Sequence, residues 1–161
     1  MTNEKPIKLG DRATSVSASS IREMFELAEQ VDHDLVRLEM GEPDFDTPDD
    51  IIDTAFQSAK EGNTGYTSNA GMYSLREAIA KRTKKKAGIT LNPDSDLMIT
   101  TGAIEALYLG LLSFVEAGQD LILPTPTYPN YFAMGRMVSA NIKTVPMPAE
   151  TGFQLDADRV I

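Results

Sequence analysis

The sequence predicts an α/β protein. Three observations carry that assignment: a β-α-β-α-β rhythm from Leu97 to Val145, helical apolar stripes ahead of it, and glycine and proline at the joints. The first helix opens at Ser20 and Glu23, an S-x-x-E capping box. Ile21, Met24, Phe25, Ala28 and Val31 then recur at helical spacing. A short extended run, Leu35–Leu38, leads into the turn-rich "GEPDFDTP" at Gly41–Pro48. Thr47 is placed to cap a second helix, with Pro48 in its first position and Asp49 and Asp50 in its first turn. Its expected buried face is Ile51, Ile52, Ala55, Phe56 and Ala59, and Gly62 stops it.

A polar loop, Asn63–Gly71, carries Tyr66. A third helix is expected from about Met72 to Ala87, with Met72, Leu75 and Ile79 on its apolar side. Beyond Asn92-Pro93-Asp94, strands are expected at Leu97–Thr100, Leu121–Leu123 and Ile142–Val145. The helices between them are Ala103–Val115 and about Asn130–Val138. The first is apolar nearly all round, which suits a buried position. Asp156 reads as the N-cap of a last helical turn, Ala157–Ile161.

The 161 residues are enough for one domain with a real core. A net charge of -9 argues against general binding to nucleic acid or to anionic membranes. Lys81, Arg82, Lys84, Lys85 and Lys86 therefore read as the solvated, dipole-complementing end of a helix, not as a phosphate patch. Cysteine is absent, which removes disulfides and thiolate metal sites and fits the cytoplasm. No apolar run reaches the length of a membrane span, and "MTNEKPIKLGDRATSVSASS" has no apolar core of a signal peptide.

Three places could carry chemistry. At "TTGAIEAL" a strand becomes a helix within two or three residues. Gly102 permits close backbone approach, and the N–H groups of Ala103 and Ile104 are orphan donors at a helix start, a natural seat for a phosphate. The same glycine also serves a plain βα turn. "PTPTYP", Pro124–Pro129, follows a strand, and its prolines hold Tyr128 rigidly, either to stack on a flat heterocycle or to pack over the sheet end. Gly41 lies in a defined bend that either meets a substrate carboxylate or is an ordinary turn. His33, the only histidine, sits between two aspartates at a helix end and reads as a surface residue.

Four segments in order, "GEPDFDTP", "YTSNAGMYSLREAIA", "TTGAIEAL" and "LPTPTYPNY", resemble the N-terminal part of class I/II pyridoxal-phosphate-dependent aminotransferases of fold type I. The resemblance runs from about Ser19 onward; "AGQD" at Ala117–Asp120 stands where the family often has Gly-Asp. It implies a three-layer α/β/α large domain on a mixed, seven-stranded sheet. Residues 1–46 would be the N-terminal arm and part of the small domain, and residues 47–161 the incomplete first part of the cofactor-binding large domain.

By the same resemblance Gly102, Ala103 and Ile104 hold the phosphate of pyridoxal phosphate, and Tyr128 stacks on its ring. Tyr66 reaches the phosphate of the neighbouring subunit of a homodimer, and Gly41 lies by the substrate carboxylate. Residues 20–31 pack near the active site. The activity implied is transfer of an amino group between an amino acid and a 2-oxo acid. A C–S lyase or cyclopropane-carboxylate synthase of the same superfamily, or a non-catalytic phospholigand-binding module, are the alternatives.

The family's Schiff-base lysine, its Asp-x-x-Tyr pair and its carboxylate-clamping arginine stand in later segments that do not occur here. No catalytic residue is therefore expected within this chain, which reads as an N-terminal portion, inactive alone. Of the three strands expected here, the second and third would pair, while the first belongs on the far edge of the family's sheet. The missing strands between them would leave sheet edges and the apolar helix at Ala103–Val115 exposed.

Overall fold

The structure, a computed structural model, describes residues 7–17 and 19–160. The described elements are helices α1 (Asp11–Thr14), α2 (Ser20–Glu29), α3 (Asp49–Lys60), α4 (Tyr73–Ala87), α5 (Gly102–Phe114) and α6 (Asn130–Met137), and strands β1 (Asp120–Thr125) and β2 (Asn141–Pro146). Short 3-10 turns follow at Ala149–Thr151 and Ala157–Arg159. The chain divides into two compact units. One holds the described residues up to Gly41 and those from Leu107 on; the other is Glu42–Ala106.

The first unit is organised by a β-α-β arch. β1 and β2 pair in parallel, with Asp120 opposite Asn141 and Thr125 opposite Pro146. The side chain of Asn141 donates to the Asp120 carboxylate, and Asn141 N–H reaches Gln119 C=O at 2.8 Å, which fixes the register at the ladder's start. Leu123, Val145, Met134 and Val138 are buried and form this unit's core. Helix α6 approaches the sheet through Gly135, where a Cβ would stand 2.9 Å from Leu121 Cδ2 and 3.0 Å from Ile142 Cδ1. Gly135→Val is expected to destabilise this arch by about 1–3 kcal/mol through overpacking, with Gly135→Ala milder because both opposing atoms are side-chain ends that can move. Urea denaturation of the two variants checks the order.

Helix α2 is tied to the extended run after it. Arg37 donates to Glu29 at 2.9 Å and also to Glu39, and its guanidinium lies 4.8 Å from the centroid of the Phe25 ring. The Glu39 carboxyl is held below its usual range, first by its own backbone N–H and then by Arg37. A carboxyl depressed on folding contributes stability above its unfolded pKa and loses it as pH falls through the folded value. The Arg37–Glu39 contact is therefore expected to survive acidification to about pH 4, the ordinary glutamate range, and to open only below it. The Arg37 Nε–H resonance followed through an acid titration reads this directly.

In the second unit Gly62 (φ +89) ends α3 and Gly88 (φ +73) ends α4, both in the left-handed conformation that glycine adopts without steric cost. Several expectations need correction. Ser20 is the first helical residue of α2 and Ser19 its N-cap, and no side chain caps it, so the S-x-x-E box does not form. Pro48, not Thr47, is the N-cap of α3. Leu97–Thr100 forms no strand: β1 and β2 form the only ladder among the described residues. The run makes one backbone bond outward, Ile99 N–H to Ala70 C=O at 3.0 Å. A strand needs a neighbour along its length, and none of the described elements lies there.

The face of α3 at Ile51, Ile52 and Phe56 is exposed, with Lys60 Nζ 4.5 Å from the Phe56 ring centroid. Helix α5 has no buried residue, and Phe114 is 86% exposed, so its all-round apolarity does not place it in an interior. The last turn is 3-10, with the Asp156 side chain accepting from Asp158 N–H at 3.1 Å.

Candidate functional site

The corner at Gly102 is built from backbone outward. Gly102 has φ +77, and a Cβ placed on it would meet nothing within 4 Å. Gly102 N–H reaches back to Thr100 C=O at 2.9 Å, and Thr100 Oγ1 donates to Gly102 C=O at 2.9 Å. This double clasp turns the chain sharply into α5. The N–H groups of Ala103 and Ile104 find no hydrogen-bond partner among the described residues. Two free donors, a helix dipole pointing outward and open space over the glycine together suit a phosphate ester.

The corner also carries a negative charge. The Glu105 carboxylate reaches back to accept from Thr101 N–H, capping the helix from inside. Glu105 stands in the first turn of the helix, the position from which an acidic side chain can make this bond. A bound phosphate would sit on the neighbouring donors and be repelled by this carboxylate. Glu105→Gln keeps an acceptor for Thr101 N–H and removes the charge. It is expected to tighten phosphate binding by a few-fold, the scale of one solvent-screened charge pair. An isotherm of inorganic phosphate binding for the variant and the unaltered chain checks it.

Tyr66 belongs to the same unit as the corner. It stands on the loop between α3 and α4 and is fully exposed. Arginine 76 was not singled out from the sequence, yet it is the only buried charged residue among the described ones. Its Nε donates to Gly71 C=O at 3.3 Å and its Nη1 to Pro93 C=O; Asp94 lies 3.9 Å away and the Tyr73 ring centroid 5.5 Å. The signal was present: Arg76 falls on the helix side marked by Met72 and Ile79.

Tyr128 and Gly41 lie in the other unit. Tyr128 follows the cis Thr125–Pro126 bond at the end of β1 and is part-exposed. Its hydroxyl accepts from Asn130 Nδ2 at 2.8 Å, and Tyr131 packs against its ring edge-on, 5.5 Å between centroids at 84°. The ring is thus oriented from two directions. Gly41 lies in an open bend with nothing within 4 Å of a would-be Cβ. No cluster of potential metal ligands occurs among the described residues, and no described helix is long and apolar enough to cross a membrane.

The chain is similar to proteins of one kind. It is 35% identical over 161 residues to an aspartate aminotransferase of Pyrococcus horikoshii, covering 100% of this chain and 41% of that protein. It is 34% identical over 152 residues to aromatic-amino-acid aminotransferase 2 of Thermococcus litoralis, covering 94% of this chain and 39% of that one. Among solved structures it superposes on the aspartate aminotransferase of Thermus thermophilus with maleate at a TM-score of 0.86 and 30% identity, over 96% of this chain and 41% of the other. The chain thus spans about 40% of the length of these relatives. The family model for aminotransferase class I and II matches residues 33–161. With the order of its motifs, its α/β elements and its glycine corner, this chain belongs to the aminotransferase class I and II family.

Proposed function

We propose that this chain is the phosphate-seating part of a pyridoxal-phosphate-dependent aminotransferase that moves an amino group between an amino acid and a 2-oxo acid. The observation that carries the reading is the pair of free amides, Ala103 and Ile104, behind a left-handed Gly102. The cofactor, when bound, supplies the electron sink for the reaction. This chain's residues supply placement. The amides of the corner anchor the phosphate, and Tyr128, held by Asn130 and Tyr131, presents a flat ring for stacking. Gly41 offers backbone close to the substrate carboxylate, and fully exposed Tyr66 is available to the phosphate of a second subunit in a homodimer. A cytoplasmic location accords with the absence of cysteine. The names of the relatives, aspartate and aromatic-amino-acid aminotransferases, support an amino-acid substrate of one of these classes.

The experiment is a titration of the isotopically labelled chain with inorganic phosphate and with pyridoxal phosphate. The amide resonances of Ala103 and Ile104 are expected to shift with both ligands, and the Tyr128 ring resonances with pyridoxal phosphate alone. Unmoved Ala103 and Ile104 amides at saturating ligand would reject the reading.

A further inference from the structure

We propose that Arg76 is the positioning residue of the Gly102 corner, linking it to the loop that carries Tyr66. The inference rests on reading that corner as the phosphate seat. Arg76 touches neither the corner nor Tyr66; it acts through two backbone carbonyls. Its Nε holds Gly71 C=O at 3.3 Å and its Nη1 holds Pro93 C=O. The carbonyl just before, Ala70 C=O, accepts the N–H of Ile99 at 3.0 Å. Gly71 itself packs so closely on Ile99 that a Cβ would stand 2.5 Å from Ile99 Cβ.

One guanidinium therefore fixes both lines of approach. Gly71 closes the loop of Tyr66, and Pro93 opens the segment that runs through Ile99 into the Thr100–Gly102 clasp. The fork geometry explains why arginine suits the position: it offers separate N–H groups to two carbonyls at once, whereas an ammonium is a point donor. The buried guanidinium keeps its charge satisfied by these carbonyls, by Asp94 at 3.9 Å and by the Tyr73 ring. A residue that served helix α4 alone would not need to bond two separate loops.

The test compares Arg76→Met, Arg76→Lys and, as a comparator, Ala80→Gly, which weakens the same helix at a buried position one turn on that has no side-chain donor for these carbonyls. Amide exchange is read at Gly71 and Ile99, whose N–H groups are both hydrogen-bonded, and phosphate affinity at the Ala103 and Ile104 resonances. In Arg76→Met both amides are expected to exchange about tenfold faster or more, together, with phosphate affinity falling several-fold. Arg76→Lys is expected to lie between, and Ala80→Gly to leave phosphate affinity unchanged.

The proposal is overturned if Arg76→Met keeps its helix but leaves either amide or the phosphate affinity unaltered, or if Ala80→Gly lowers the affinity equally. Should Arg76→Met lose its helical circular dichroism, Arg76→Lys decides by the same two amides. A wild-type chain whose corner ignores phosphate rejects the phosphate seat; Gly71 and Ile99 exchange then still decides whether Arg76 joins the two segments.

Discussion

Replacing Gly71 by alanine is expected to destabilise the Glu42–Ala106 unit by about 3 kcal/mol. Two costs add. Gly71 has φ +87, where a β-carbon costs about 1–2 kcal/mol. The new Cβ would also stand 2.5 Å from both Ile99 Cβ and Ile99 Cγ1. The Cγ1 contact can be relieved by rotation, but Ile99 Cβ is fixed to the backbone, so relief requires the Ile99 segment to move. That movement breaks the Ile99–Ala70 hydrogen bond. This unit has few means to absorb the loss, since Ala80 is its only buried apolar side chain among the described residues.

The measurement is the urea midpoint, with exchange at the Ile99 amide as the local reading. Adding Ile99→Ala should not restore stability, because that side chain keeps the clashing Cβ. Restoration by Ile99→Ala would place the conflict at Cγ1 and contradict this account.

Gly102→Ala is expected to have the second-largest effect, and its character differs. A Cβ at Gly102 would meet nothing within 4 Å, so sterics inside the free chain are not the issue. The cost to folding is the left-handed backbone alone, about 1–2 kcal/mol. The larger effect falls on ligand binding. A methyl group occupies the open space through which a phosphate reaches the amides of Ala103 and Ile104, and relief of the φ +77 strain rotates those donors away. Phosphate affinity should fall by about tenfold or more, as expected when two charge-assisted hydrogen bonds are lost. Urea denaturation and isothermal titration with pyridoxal phosphate separate the two effects: a stability loss of no more than about 1–2 kcal/mol with affinity lowered about tenfold or more fits this account, and unchanged affinity refutes the role of the glycine.

The readable parts of the fold are those governed by local periodicity and stop signals. Helices α2, α3, α4, α5 and α6 fall within one or two residues of where their apolar spacing and bounding glycines place them. β1 and β2 enclose the expected Leu121–Leu123 and Ile142–Val145. The corner at Gly102 was legible for the same reason, because a strand signal meets a helix signal at one glycine.

Caps were less legible. The Ser20 and Thr47 readings are each displaced by one residue, since a cap depends on the backbone angles of a single position. Glu105 was missed because its hydrogen bond to Thr101 N–H runs backward across the first helical turn.

The sequence by itself determined that this is an α/β chain with a sharp glycine corner at Gly102 and a proline-flanked tyrosine after β1, because each rests on residues adjacent in the chain. Only the tertiary structure decided which apolar faces are covered, that Leu97–Thr100 forms no ladder, and that Arg76 joins two loops 22 residues apart, from Gly71 to Pro93. Burial, strand pairing and a buried cation's partners all depend on groups distant in sequence. Their free energy is set by which neighbours the folded chain brings within reach, and no local pattern records that.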